Sequence, residues 1–231
     1  MPEVTRSGRL IAICGIDGSG KTTQADLLAR RVQEAGLAVQ QVSFPRYGEG
    51  FFADTIERYL RGEFGTDPQT VHPCLGALPF ALDRWQAASQ VQEWLGAGTV
   101  VVSNRYVAAN MAHQGSKLPT GERPAFYRWV AELEYGILAL PKPRLQVLLD
   151  MPCRAALSLT RRRGPRGGMA GGEDIHERDE RHLAATALAY RELAAGRWCG
   201  PWAIVRCAEG DAPLPPEAIG EEVWREVQRV L

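Results

Sequence analysis

The chain is predicted to fold as an α/β protein with an open, five-stranded parallel sheet flanked by helices in three layers. Three observations predict this. Five short apolar runs punctuate the sequence, longer amphipathic stretches separate them, and four of the five runs are dense in Val, Ile and Leu with little polar alternation. A strand covered by helices on both faces has no wet side, so apolar residues fill successive positions.

The elements follow in order. Residues 10–14 (LIAIC) form the first run, and residues 22–35 form a helix with Ala25, Leu28, Ala29 and Val32 on one face and Gly36 as its C-terminal cap. The second run is residues 39–44 (VQQVSF), followed by a helix over 75–95 and the third run, 99–103 (TVVVS). A helix over 123–136 precedes the fourth run, 145–149 (LQVLL). Helices over 154–163 and 179–195 lead to the fifth, 203–207 (AIVRC). The last helix, 217–230, carries Ile219, Val223, Val227 and Val230 at three- and four-residue spacing. No internal repeat and no linker-like composition break interrupts the 231 residues, which predicts one domain over 1–231.

Composition removes several function classes. Hydrophobic residues make up 45% and charged residues 23%, enough apolar content for a packed core. Lys plus Arg equals Asp plus Glu at 27 each, so the net charge is zero and nothing points to bulk nucleic-acid binding. No run approaches the ~20 apolar residues that span a bilayer, and no signal-peptide segment opens the chain, so no membrane association is expected. The five cysteines (Cys14, Cys74, Cys153, Cys199, Cys207) never form a C-x-x-C pair, which fits a reducing cytoplasm rather than a disulfide framework or zinc site.

The chemistry begins directly after the first strand. Gly15-Ile16-Asp17-Gly18-Ser19-Gly20-Lys21-Thr22 satisfies G-x-x-x-x-G-K-[ST] at every fixed position, with a strand before it and a helix after it. Glycines let the backbone wrap a phosphate and direct successive N–H groups at its oxygens, and the following helix adds its positive dipole end. Lys21 is suited to the β- and γ-phosphates, and the Thr22 hydroxyl to Mg²⁺. A nucleoside triphosphate site of the P-loop NTPase fold is therefore expected. No N-K-x-D occurs to read guanine, so a GTPase is not indicated. The segment 161–172 (RRRGPRGGMAGG) holds four arginines among glycines. By itself it is a solvated loop; beside a P-loop it suits a mobile lid that closes over phosphates.

Taken in order, these residues resemble the thymidylate kinase (dTMP kinase) family. The resemblance rests on the P-loop with Asp17 at its third position and Thr22-Thr23 after the lysine, and on Phe44-Pro45-Arg46 ending the second strand. It extends to Phe80-Ala81-Leu82-Asp83-Arg84-Trp85, to Asn104-Arg105-Tyr106 followed by Asn110, and to the arginine-rich segment followed by Asp174-Ile175-His176-Glu177. It implies phosphoryl transfer from Mg·ATP to the 5′-phosphate of dTMP in dTTP synthesis, a LID over about 161–177, and a homodimer packed through helices.

The resemblance also implies roles. Gly15, Asp17, Gly18, Ser19, Gly20, Lys21, Thr22 and Thr23 hold the ATP phosphates, with Thr22 on the metal. Arg46 and Arg105 grip the acceptor phosphate, a bidentate task suited to guanidinium. Phe44 lines the acceptor site and Phe80 stacks on thymine. Arg84, one turn on, and Asn110 reach the base edge, Tyr106 checks the sugar, and Asp17 accepts from the 3′-hydroxyl. Arg161 and Arg163 match the spacing of the LID arginines, with Arg166 a third candidate. On the residues alone, each has a bland counterpart: a strand-end salt bridge for Arg105, a solvated loop arginine for Arg46, a core ring for Phe80 or Tyr106, and a helix cap for Asn110.

Two departures matter. Asn104 stands where the family carries Asp, so a negative charge near Mg²⁺ is missing, and Asp150 is the remaining acidic candidate. The P-loop offers Gly18 and Ser19 where some members carry an arginine, so the LID is expected to supply it. A broader pyrimidine kinase accepting dUMP or dCMP, and a non-catalytic nucleotide-binding protein, are the alternative readings; an adenylate kinase would not need the aromatic-plus-arginine helix.

Overall fold

The computed structural model describes residues 8–64, 70–163 and 180–231, with the side chains of 161–163 excepted. Its centre is a five-stranded sheet, all pairs parallel, in the order β2-β3-β1-β4-β5. The strands are β1 (Arg9–Cys14), β2 (Val39–Ser43), β3 (Val100–Asn104), β4 (Leu145–Asp150) and β5 (Trp202–Arg206). Every strand boundary lies within about a residue of its predicted run. The three central strands are buried almost end to end, whereas the edge strands β2 and β5 keep exposed positions. The weak patterning of VQQVSF is thus the mark of an edge, where one side of the ladder meets solvent.

Helix α1 (Lys21–Glu34) ends as predicted from Gly36, which takes φ 76°. The N–H of Gly36 reaches the Gln33 carbonyl at 2.9 Å and that of Leu37 reaches Val32 at 3.2 Å, the paired bonds of a Schellman stop. The remaining helices are α2 (Phe51–Leu60), α3 (Pro73–Gln86), α4 (Ala88–Gly96), α5 (Val107–Gly115), α6 (Arg123–Ala131), α7 (Cys153–Arg163), α8 (Glu180–Ala195) and α9 (Pro216–Gln228). Helix α1 packs on α9, where Gln24 Nε2 donates to the Pro216 carbonyl at 2.8 Å, and α5 packs on α8. One continuous hydrophobic core joins the sheet to these helices, and a small satellite of Ile56, Tyr59 and Leu60 joins α2 to Phe80.

The structure differs from the sequence reading at four places. The single helix over 75–95 is two, because the chain bends at Ala87, which is buried and carries no breaker signal. The helix over 123–136 is α6 followed by a π-helical turn, Glu132–Ile137, closed by the Leu138 N–H on the Leu133 carbonyl at 2.9 Å. Helices α2 and α5 were not among the predicted elements, and the short antiparallel hairpin Ala208–Glu209 with Ala212–Pro213 is too brief to show alternation. The predicted LID, 161–177, lies outside the described residues apart from the backbone of 161–163 at the end of α7.

Candidate active site

Parallel strands all present their C-terminal ends at one edge, and the loops leaving those ends carry the predicted site residues. Register brings them together: Ser43 pairs with Asn104, and Ile13 also lies opposite Asn104. The loop after β1, the turn after β2 that carries Arg46, and Arg105 after β3 therefore converge beside the N-terminus of α1.

The P-loop conformation requires its glycines. Gly18 takes φ 79° and packs on the Ala156 carbonyl so closely that a Cβ would overlap it. Gly20 takes φ 86° directly before α1, a left-handed conformation that favours glycine even though a Cβ there would meet nothing within 4 Å. Lys21 Nζ donates to the Ile16 carbonyl at 2.7 Å and lies 3.6 Å from Asp17 Oδ1, so the loop itself holds the ammonium in place. The Ser19 hydroxyl is buried without a partner among the described residues. Beneath the loop, burial pushes the Cys14 thiol up to about 12, against the opposing pull of Lys21 and Arg105, so it stays protonated and inert.

Arg105 links the P-loop to α5. Its backbone is left-handed, φ 64°, a conformation costing about 1–3 kcal/mol for a residue with a side chain. Two bonds hold it there: its N–H donates to the Ile13 carbonyl at 3.0 Å, and the Ser103 hydroxyl donates to its own carbonyl at 2.6 Å. The result turns the guanidinium across the cleft, where Nη2 donates to Asp17 Oδ1 and Nη1 lies 2.8 Å from His113 Nε2. Asp17 thus serves Lys21 and Arg105 together.

Arg46 is anchored by Asp83 of α3, whose carboxylate accepts from the Arg46 backbone N–H and from Nε, each at 3.0 Å. It is therefore not a solvated loop arginine. Asn104 donates from Nδ2 to the Thr22 hydroxyl at 3.2 Å, while its Oδ1 is buried with no partner. Two neutral oxygens, Thr22 Oγ1 and Asn104 Oδ1, suit a hard divalent cation or its water. Asp150 is engaged elsewhere: its carboxylate accepts from Arg191 of α8 at 2.8 and 2.9 Å. Among the described residues no cluster of three or more His, Cys, Asp or Glu forms a metal cage.

Three side chains expected at the substrate are engaged within the protein. Phe44 is buried in the core with its ring 5.9 Å from that of Tyr106, so it supports the site from behind. Tyr106 is 2% exposed and donates its hydroxyl to the Pro141 carbonyl at 3.0 Å, so it packs in the core behind the site. Burial lifts its phenol well above the ordinary range, with Arg84 pulling the other way. Arg84 is also buried; its Nε and Nη2 meet Glu134 of the π-helical turn at 2.6 and 2.7 Å, so that carboxylate takes one side of its fork and leaves Nη1 outside the pair.

Asn110 lies inside α5, not at its cap. Its Nδ2 donates to the Ala77 carbonyl at 3.0 Å and to Glu134 Oε1 at 2.9 Å, while Oδ1 is buried and unpartnered. Because both neighbours only accept, the amide orientation is determined and an acceptor is what remains. Phe80 is half-buried, edge-on to Tyr59 at 6.1 Å. Gln114, in α5, has its own buried, unpartnered Oε1. Asp83, Ser103 and Glu134 were not assigned roles from the sequence, and only Asp83 lay within a recognised motif. The side chains of Arg161 and Arg163, and the whole of Arg166, fall outside the described residues.

The chain was compared with known proteins. A family model described as thymidylate kinase matches residues 13–200. A thymidylate kinase from Mycobacterium tuberculosis is 38% identical over 197 residues, covering 85% of this chain and 90% of that protein. One from Thermomicrobium roseum is 32% identical over 220 residues, covering 94% and 93%. Among solved structures, a thymidylate kinase from Candida albicans superposes with a TM-score of 0.70 at 20% identity, covering 96% of this chain and 92% of that one, which shows a shared fold. With a family model spanning most of its length and relatives above 30% identity over nearly all of it, the chain belongs to the thymidylate kinase family.

Proposed function

We propose that this protein transfers the γ-phosphoryl group of ATP to the 5′-phosphate of dTMP, giving dTDP and ADP, as a single-domain enzyme of dTTP synthesis. The observation that carries the reading is the bridge from Lys21 through Asp17 to Arg105. It ties a triphosphate loop to a second arginine-lined anion site on the same sheet edge, as transfer between two phosphates requires. An acceptor phosphate oxygen attacks the γ-phosphorus while the bond to the β–γ bridging oxygen breaks, and ADP leaves. Lys21 and the P-loop N–H groups hold the donor, and Arg46 and Arg105 offset the repulsion between the two anions.

Thr22 and Asn104 would hold Mg²⁺ or its water, leaving most of its coordination to the ATP phosphates. When bound, that ion neutralises charge on the β- and γ-phosphates. The LID, through Arg161, Arg163 or Arg166, supplies the remaining cation. For the base, Phe80 offers a stacking face and the acceptor-only Asn110 Oδ1 complements the N3–H of thymine or uracil. Cytosine presents an acceptor at N3, so dCMP is the poorer substrate. The sugar check falls to a residue other than Tyr106.

A homodimer through α3 is part of the same proposal. Leu75, Leu78, Leu82 and Trp85 form an outward stripe at three- and four-residue spacing, with Leu75 63% and Trp85 50% exposed. All five cysteines are free, in keeping with a cytoplasmic setting, and no helix among the described residues is long and apolar enough to cross a membrane.

The test is initial-rate ADP release with Mg·ATP against dTMP, dUMP, dCMP, ribothymidine monophosphate, AMP and thymidine. Fast turnover of dTMP, slower turnover of dCMP and none with thymidine is the expected pattern. Equal rates across the pyrimidine monophosphates would make it a broad-specificity kinase. ATP binding without turnover of any acceptor would make it a non-catalytic nucleotide binder.

A further inference from the structure

We propose that Asp83 is the positioning residue that sets the direction of Arg46 toward the acceptor phosphate. The inference rests on the reading of Arg46 as a clamp on that phosphate. A carboxylate that meets an arginine side-on ordinarily takes Nε and one Nη with its two oxygens, using up half of the fork. Asp83 does something different. Its Oδ1 accepts from Nε at 3.0 Å, and its Oδ2 accepts from the Arg46 backbone N–H at 3.0 Å. One carboxylate therefore fixes the base of the side chain and its far end relative to each other, and leaves both Nη groups unclaimed by it.

What lies at those Nη groups supports the assignment. Arg46 Nη2 is buried and has no partner among the described residues, a donor that needs an acceptor from elsewhere. Nη1 lies 3.7 Å from Glu49 Oε2, beyond hydrogen-bonding distance and on a side chain that is mostly exposed. The end-on pair Nη1 and Nη2 has the spacing of two phosphate oxygens. Asp83 itself is 1% exposed, so water does not compete for its oxygens, and its charge is satisfied by Arg46. A buried carboxylate at this place is costly unless it is paired, which makes its orientation of Arg46 its evident role. The neighbouring Arg84 points away, to Glu134, so the adjacent pair Asp83-Arg84 serves two separate networks from consecutive positions of α3.

The decisive comparison is between dTMP and thymidine, which differ only in the phosphate. Their dissociation constants are measured by calorimetry for the unaltered protein, Asp83→Asn, Arg46→Ala, the double variant and Arg46→Lys. In Asp83→Asn one oxygen becomes an NH₂, which faces an N–H and cannot accept, so one of the two anchors is lost. The expected result is dTMP binding weakened about tenfold or more and thymidine binding changed by less than about twofold. The double variant should bind dTMP no more weakly than Arg46→Ala, because Asp83 acts through Arg46. Arg46→Lys keeps the charge but has no Nε–H for Asp83, and should lose most of the preference for dTMP; full retention would overturn the proposal even if Asp83→Asn proved unfolded. Equal weakening of dTMP and thymidine in folded Asp83→Asn would mean a merely structural role, and unchanged dTMP binding there beside a weakened Arg46→Ala would remove Asp83 from the clamp. If Arg46→Ala itself left dTMP binding unchanged, the clamp reading would fail at its root, an outcome distinct from the others.

Discussion

Replacing Arg84 by Met would expose how the acceptor side of the site is held. Glu134 is completely buried and receives two charge-assisted bonds from Arg84, at 2.6 and 2.7 Å, plus one from Asn110 at 2.9 Å. Removing the arginine leaves a buried carboxylate held by the Asn110 amide, which costs about 3–5 kcal/mol. For a chain of this size each kcal/mol moves the melting temperature by about 2–4 °C, so a fall of about 6–20 °C is expected. Glu134→Leu alone strands the arginine instead and should cost a similar amount. The double variant Arg84→Met/Glu134→Leu replaces the pair with apolar groups and should lie within about 1–2 kcal/mol of the parent, a coupling of at least about 4 kcal/mol. Thermal and urea unfolding of the four proteins measure this cycle. The folded double variant should still bind dTMP more weakly, since Asn110 keeps only the Ala77 carbonyl to orient its amide. A loss below about 1 kcal/mol in Arg84→Met, or single losses that simply add, would refute the buried-pair argument.

Three further outcomes follow from the same geometry. Arg105→Ala removes the cation bridging Asp17 and His113 and should lower turnover about 10²–10³-fold, read in the ADP-release assay; a near-normal rate would sink its role as a clamp. Asn104→Asp adds a negative charge beside the Thr22 hydroxyl and should lower the Mg²⁺ concentration needed for half-maximal rate, whereas a large loss of activity would show that the amide is needed. At high pH, burial holds the Cys14, Cys199 and Cys207 thiols up at about 12 against an ordinary 9.0. The unfolded chain then releases protons that the folded one keeps, so stability present below about pH 9 should decline as pH rises toward 12. Urea midpoints that stay level from about pH 8 to 10.5 would contradict the burial of these groups.

The sheet and the phosphate loop were legible in the chain because both are local. Five apolar runs located five strands, and Gly15 to Thr22 declares a loop whose conformation depends on its own glycines and on the helix that follows. The positions of Arg46 and Arg105 could likewise be marked, since each ends a strand and all strand ends meet at one edge. What the sequence could not contain is the identity of partners far along the chain. Arg84 read as a base contact because the Phe80–Trp85 segment resembles a family motif, whereas Glu134, 50 residues away in a π-helical turn, is invisible in the chain. Tyr106 and Phe44 sit inside recognised motifs, but whether such a ring faces a cleft or the core depends on which elements cover it. Asp83 was in plain view beside Arg84 and acquired a role only when α3 came to rest against the turn after β2. Local patterning thus determined the elements and the donor site. Tertiary packing decided which polar groups are consumed by one another and which remain for a substrate, because a buried donor or acceptor is defined by what surrounds it.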